Sequence, residues 1–149
     1  MKKVKVGFTF QFLLLPDKVK RKDLKTSIIS IVNFVLVSER KSLDVINFLF
    51  CDDNTIIDFN KKYLKHDFET DIITFLYEDT VFSESDIIIS LETVKRNSLT
   101  YKSSYLIELF RVIIHGLLHL CGMKDDTKNK RTVMRNKENN YLKLAGLIN

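Results

Sequence analysis

The sequence predicts an α+β fold, close to the α/β class, in which a mixed four-stranded sheet is covered by about five helices. Polar and apolar residues alternate over residues 3–10, which is typical of a strand with one buried face. Apolar residues then recur at helical spacing over residues 24–35. Two β-branched runs, 71–77 and 86–90, predict two further strands.

Local signals mark where the other elements begin and end. Pro16 and Asp17 open the first helix, which is predicted to reach about residue 40. Residues 43–50 form the second strand, and Asp52 to Asn54 cap the next helix. The acidic stretch Glu78 to Ser85 is predicted to be a loop between two strands. Three helices follow, at about residues 91–97, 103–121 and 128–145.

Length and composition indicate a single domain that spans residues 1–149. The chain has 149 residues, enough for one hydrophobic core, and no linker or repeat interrupts it. Two cysteines are too few for a disulfide scaffold, so a reducing cytoplasm is expected. Lys5 interrupts the apolar N-terminal residues, and no apolar run has the length of a membrane span. We therefore expect a cytoplasmic protein with no signal peptide and no membrane segment.

Charge is distributed unevenly along the chain. The formal net charge is +5, with +6 over residues 1–50, −6 over residues 51–100 and +5 over residues 101–149. A basic surface supplied by both ends of the chain suits a polyanion such as RNA. A solvated lysine-rich surface explains the same charge equally well.

The segment RVIIHGLLHLCGMKDD, residues 111–126, carries the chemistry. His119 is four positions after His115, so the two histidines share one face of a predicted helix. Two imidazoles in this arrangement chelate one metal ion in the H-x-x-x-H helices of zinc hydrolases. Two core histidines satisfied by hydrogen bonds are the structural alternative. The pair therefore indicates a zinc-hydrolase-like domain.

A third ligand is expected shortly after this helix. Gly122 is suited to the left-handed conformation that ends a helix, and the chain then returns toward the histidines. Asp125 is the first carboxylate to arrive, which completes the three protein ligands of a catalytic zinc site. Asp126 is the competing carboxylate. Cys121 is either a soft ligand or a packing residue.

The residue after the first histidine constrains the type of hydrolysis. Metallopeptidases with an H-E-x-x-H motif have a glutamate there as general base. Here the residue is Gly116, which cannot accept a proton. Hydrolysis would have to depend on the metal, which lowers the pKa of bound water to about 7. Another carboxylate or the substrate phosphate would carry the proton, and peptidase activity is disfavoured.

Three blocks of the sequence resemble the YbeY family of bacterial metal-dependent endoribonucleases, which are rRNA maturation factors. HGLLHLCGMKDD resembles the family signature H-G-x-L-H-L-x-G-x-D-H. FNKKYLKHDFETDIITF, residues 59–75, is similar to L-N-x-x-Y/W-R-x-x-D-x-P-T-D-V-L-S-F. DIIIS, residues 86–90, is similar to G-D-I-x-I-S. The match covers roughly residues 45–140.

The resemblance implies one Zn²⁺ per chain, held by His115, His119 and the residue at position 125. It implies endonuclease cleavage of single-stranded rRNA, including 16S rRNA 3′ end processing, and a role in ribosome quality control. The implied partner is the small ribosomal subunit, with rRNA or a ribosomal protein in contact; DNA is not expected. A non-catalytic assembly factor with a structural zinc is the alternative.

The chain departs from the family pattern at several positions. Asp125 stands where the family has a histidine, and a carboxylate oxygen is also a competent zinc ligand. Leu64 stands where the family has an arginine that engages RNA. Lys65 is the nearest substitute, although the next residue of a helix points about 100° away. Glu69 replaces a proline.

Further residues are candidates for function or structure. His66 is either a proton shuttle or an exposed residue at a helix end. The polar residues of the second block serve either function or local structure: Asn60, Thr70 and Asp71. The candidate phosphate contacts flank the motif or the second block, and each is equally typical of a solvated surface: Lys65, Arg111, Lys124, Arg131 and Arg135.

Overall fold

A computed structural model describes residues 2–65 and 70–149. In this part of the chain, the predicted α+β fold with a mixed four-stranded sheet and five α-helices is confirmed. The strands are β1 (Lys5–Phe10), β2 (Val45–Cys51), β3 (Ile72–Glu78) and β4 (Ser83–Ser90). The helices are α1 (Arg21–Ser38), α2 (Asp53–Phe59), α3 (Leu91–Thr100), α4 (Tyr105–Leu120) and α5 (Lys128–Leu144), and a π-helical turn, Asn60–Leu64, extends α2.

The sheet has the strand order β1-β2-β4-β3. Strands β1, β2 and β4 run parallel, and β3 pairs antiparallel with β4 at the edge. The main core lies between one face of this sheet and helices α1, α4 and α5. The opposite face carries a smaller cluster against α2: Cys51, Ile56, Ile73 and Ile88.

The prediction of a loop over Glu78 to Ser85 is wrong for half of its length. Glu78 pairs with Ser83, so only residues 79–82 form the turn between β3 and β4. Asp79 caps this turn, since its carboxylate accepts hydrogen bonds from the backbone N–H groups of Val81 and Phe82, both at 2.8 Å. The polar residues extend β4 because Ser85 finds a buried partner: its hydroxyl donates to the carbonyl oxygen of Val45 at 3.0 Å.

Helix α1 begins later than predicted. Pro16 starts a turn in which its carbonyl oxygen accepts a hydrogen bond from Val19 N–H at 3.1 Å. Lys18 has a φ of +63°, a left-handed conformation that a continuous right-handed helix excludes. The helix therefore starts only at Arg21. Strand β1 likewise starts at Lys5 rather than at residue 3.

Helix α4 packs on the β3–β4 hairpin, and Gly116 lies close against it. A Cβ atom at Gly116 would lie 2.6 Å from Ile72 Cδ1, 3.4 Å from Thr74 Cγ2 and 3.5 Å from Ile87 Cγ2. Most of the helix is buried. Among the described residues no single helix is long and apolar enough to cross a membrane; α3 and α4 meet such a test only as a pair, bent by 117°.

The packing at Gly116 predicts a loss of stability when side-chain volume is added. Gly116→Val should lower the free energy of unfolding by about 1–3 kcal/mol, because branched methyl groups overpack the contact with Thr74 and Ile87. Urea unfolding followed by circular dichroism measures the change. Gly116→Ala is the control. Its single methyl group displaces only the mobile end of Ile72, and a gain in helix propensity of about 1 kcal/mol offsets that cost. A Gly116→Val protein as stable as the wild type would contradict this account of the packing.

Candidate metal centre

Three potential metal ligands meet where α4 ends. The Nε2 atoms of His115 and His119 lie 2.9 Å apart. Asp125 Oδ2 lies 3.2 Å from His115 Nε2 and 3.4 Å from His119 Nε2. Within the described residues, these form the one group of three His, Cys, Asp or Glu side chains close enough to hold a metal ion. The structure thus brings together the three residues singled out by the spacing of the motif.

The end of α4 explains how Asp125 reaches the histidines. Gly122 has a φ of +95°, and its N–H donates to the carbonyl oxygen of His119 at 2.9 Å. Met123 N–H donates to the carbonyl oxygen of Leu118 at 3.0 Å. This pair of bonds is a Schellman motif, which reverses the chain after the helix. The reversed chain carries Asp125 back over the face that holds both imidazoles.

The second nitrogen of each imidazole has an acceptor as its partner. His115 Nδ1 lies 2.7 Å from Glu138 Oε2, and His119 Nδ1 lies 3.0 Å from the carbonyl oxygen of Met123. Because a carboxylate and a carbonyl only accept, each Nδ1 carries a proton, which leaves each Nε2 as the nitrogen that can bind a metal ion. Both Nε2 atoms lie on the side of the imidazoles that faces the carboxylate of Asp125.

The donor set fits one divalent ion. Ligand atoms at 2.0–2.1 Å from a tetrahedral zinc ion lie about 3.3 Å from one another. The three separations here, 2.9, 3.2 and 3.4 Å, are close to that value. Two imidazole nitrogens and one carboxylate oxygen are also a common donor set of catalytic zinc. The group has both the chemistry and the spacing to hold a metal ion.

The competing ligands are directed elsewhere. The carboxylate of Asp126 pairs with Lys130 Nζ at 3.1 Å, and this hydrogen bond and charge hold its pKa below the usual range. Cys121 is the C-cap residue that follows α4. Burial, with a smaller contribution from the charge of Glu39, raises the pKa of its thiol to about 11, which disfavours the thiolate that binds metals. Asp125 is therefore the carboxylate positioned to bind.

A cavity of about 220 Å³ adjoins His115 and Asp125. Its wall includes three carboxylates outside the group of three donors: Asp71, Glu108 and Glu138. The pKa values of Asp71 and Glu108 are raised mainly by burial. Burial lowers the pKa of His115, but the hydrogen bond to Glu138 and the nearby negative charges outweigh it, so the pKa is raised on balance. The cavity is therefore lined by carboxylates together with His115 and three arginines.

The candidate RNA contacts occupy different environments. Arg111 is largely buried, and its guanidinium donates to Asn139 Oδ1 at 2.8 Å and to Glu138 Oε1 at 3.5 Å. Arg131 and Arg135 line the cavity with exposed side chains. Lys124 is exposed in the loop after α4. Lys65 is exposed at the end of the π-helical turn, with a φ of +58°.

The second sequence block, residues 59–75, lies only partly within the described residues. His66 and Glu69 lie outside the described residues. Asn60 is buried in the π-helical turn, and Leu64 is 44% exposed. Asp71 precedes β3 and lines the cavity together with His115.

Glu138 is the residue of the site that the motif analysis missed. It lies on α5, 23 positions after His115, and its side chain is only 4% exposed. A signal was present in the sequence, because Glu138 shares one face of α5 with apolar residues at helical spacing, namely Met134, Tyr141 and Leu142. A charged residue within a buried stripe indicates a specific partner.

A family model described as Endoribonuclease YbeY matches residues 15–146 of the chain. The chain belongs to the YbeY family. A Flavobacterium psychrophilum relative named Endoribonuclease YbeY is 45% identical over 120 residues, which cover 80% of this chain and 86% of the relative. A Bacteroides fragilis relative of the same name is 40% identical over 137 residues, 92% of this chain and 95% of the relative. The predicted family is thereby confirmed, and its relatives carry the name of the predicted enzyme class.

A solved structure shows the same fold. The solution structure of a Thermotoga maritima protein superposes with a TM-score of 0.63, covering 94% of this chain and 88% of that chain at 22% identity. The α+β arrangement of this YbeY-family chain is therefore shared with a distant structure.

The turn at Gly122 predicts separate effects on stability and on metal binding. Gly122→Ala should cost about 1–2 kcal/mol of unfolding free energy, because the left-handed conformation strains an alanine. It should also weaken the binding of a divalent metal ion, for which Zn²⁺ is the probe, since the turn carries Asp125. Gly146→Ala is a matched control, since Gly146 also has a positive φ and a methyl group added at either glycine would meet open space. Urea unfolding and chelator competition for zinc measure the two effects. Equal zinc affinities in the two variants would contradict the role of the turn.

Proposed function

We propose that this protein is a zinc-dependent endoribonuclease, a single domain over residues 1–149 that cleaves single-stranded rRNA in the cytoplasm. The proposal includes 16S rRNA 3′ end processing, ribosome quality control and contact with the small ribosomal subunit. One observation carries it: two imidazole nitrogens and one carboxylate oxygen converge beside a cavity with exposed arginines. The family and the name of the relatives, Endoribonuclease YbeY, support it.

His115, His119 and Asp125 would hold one Zn²⁺. Bound zinc supplies Lewis acidity, which stabilises negative charge on phosphate and lowers the pKa of bound water to about 7. The side chains of these residues are partly exposed, from 25% to 38%, so the donor group is open to solvent on one side. An open side suits a catalytic ion, whereas a structural zinc has four protein ligands.

Arg131 and Arg135 are the arginines that we assign to RNA phosphate. Both lie on α5 and line the cavity with exposed side chains, while Arg135 Nη1 lies 3.7 Å from Glu138 Oε1 and Arg131 Nη1 donates to the carbonyl oxygen of Asp125 at 3.4 Å. A guanidinium fork matches the oxygens of a phosphate, and such contacts orient a nucleic acid without reading its sequence. Arg111 is assigned to the support of Glu138 instead, because its guanidinium is bonded within the protein. Lys124 and Lys65 are assigned to outer contacts, where exposed lysines attract the RNA backbone.

Another carboxylate or the substrate phosphate has to replace the general base that Gly116 cannot provide. Asp71 lines the same cavity as His115 and lies outside the group of three donors. Burial raises the pKa of Asp71, while the nearby charge of His115 lowers it. A carboxylate with a raised pKa is a stronger proton acceptor than an ordinary carboxylate. We assign Asp71 to that exchange.

Removal of both imidazoles tests the proposal. The wild-type protein should contain about one zinc per chain and cleave an unstructured RNA, whereas His115→Ala with His119→Ala should do neither. Zinc content by mass spectrometry and cleavage of a labelled RNA measure the outcome. DNA of the same sequence should remain intact in the presence of the wild-type protein.

Asp126→Ala is the matched control, because its carboxylate pairs with Lys130 at 3.1 Å outside the donor group. It should retain zinc and activity, while Asp125→Ala should lose both. Cleavage by the double-histidine variant at the wild-type rate would refute the proposal. A wild-type protein that binds zinc and RNA without cleaving would favour the non-catalytic assembly factor.

A further inference from the structure

The nitrogen of His115 that faces away from Asp125 is bound to a buried carboxylate. His115 Nδ1 lies 2.7 Å from Glu138 Oε2, within the range of charge-assisted hydrogen bonds. The side chain of Glu138 is 4% exposed. Burying a carboxylate costs free energy unless the carboxylate is paired, so specific partners have to compensate the burial of Glu138. Those partners are His115 on one side and arginines on the other.

The second oxygen of Glu138 is held by basic groups. Arg111 Nη1 lies 3.5 Å from Glu138 Oε1, and Arg135 Nη1 lies 3.7 Å from the same atom. Arg111 is itself fixed, since it donates to Asn139 Oδ1 at 2.8 Å. The carboxylate is therefore restrained from both sides, which restricts the rotation of the His115 ring that it contacts.

The two histidines are supported in different ways. His119 Nδ1 meets the backbone carbonyl of Met123, a neutral acceptor supplied by the turn at the end of α4. His115 Nδ1 meets a carboxylate from a different helix, α5. An ionised acceptor fixes the Nδ1–H form and raises the basicity of Nε2 more than a neutral carbonyl does. The partner of His115 thus depends on how α5 packs against α4.

We propose that Glu138 is a positioning residue for His115, holding the ring with its Nε2 lone pair directed at the metal ion and so raising metal affinity. This inference rests on the proposed metal function of His115, His119 and Asp125. Glu138 is not itself a ligand in the arrangement, because both of its oxygens are engaged, one by His115 and the other by the arginines. The simpler alternative is that Glu138 serves only to anchor α5 to α4.

Zinc affinity of the full-length protein separates these two roles. Glu138→Gln should bind zinc about 10–100-fold more weakly than the wild type in competition with a chromogenic chelator. Glu39→Gln is the matched control. The Glu39 carboxylate also accepts hydrogen bonds from α5, from Lys137 and Tyr141, but it does not touch His115. The control should therefore loosen the same helix and keep the wild-type affinity.

Each outcome has a distinct meaning. Wild-type protein that binds no zinc would refute the proposed function itself. Wild-type zinc affinity in Glu138→Gln, or an equal loss in Glu39→Gln, would refute the positioning role alone. Nitrogen-15 NMR of the zinc-loaded wild type provides a test that needs no variant. It should show a proton on His115 Nδ1 that exchanges slowly with water, and a rapidly exchanging Nδ1 proton would also overturn the role.

Discussion

Two imidazole lone pairs and one carboxylate oxygen, all within 3.4 Å of one another, are the arrangement on which the site depends. Such donors do not come together by spacing alone. Each Nε2 is available to a metal ion because the other ring nitrogen is bound to an acceptor, Glu138 or the carbonyl of Met123. The site is thus specified by hydrogen bonds outside the group of donors as much as by the donors themselves.

Two glycines make this arrangement possible for different physical reasons. Gly116 has no side chain, so α4 approaches the β3–β4 hairpin closely enough for Asp71 and His115 to line one cavity. Gly122 adopts a left-handed conformation that ends the helix and returns the chain to the imidazoles. The first glycine is required by packing and the second by backbone conformation. Their positions, one after each histidine, couple the fold to the chemistry.

Local patterns in the sequence were sufficient for most elements and for the three donors. The four-residue separation of His115 and His119 is a helical spacing, and a glycine after a helix is a known terminator, so both inferences needed only neighbouring residues. The errors arose where the boundary of an element depends on contacts that leave no local pattern in the sequence. The start of β4 at Ser83 depends on pairing with β3, and Asp79 forms its turn through hydrogen bonds that no periodicity reveals.

Interactions distant in sequence were the part that local patterns could not supply. The contact of Glu138 with His115 depends on the packing of two helices. The hydrogen bonds of Arg111 within the protein were also beyond local patterns, since its partners lie on α5. A buried charge on an apolar helix face is the one sequence signal that would have directed attention to Glu138.

The most direct test of the account is a crystal structure of the zinc-loaded protein, with anomalous diffraction at the zinc edge to locate the ion. The account predicts zinc bound by the Nε2 atoms of His115 and His119 and by a carboxylate oxygen of Asp125, with solvent in the fourth position. Zinc bound by Cys121 or by a fourth protein side chain, or found away from the two histidines, would contradict it.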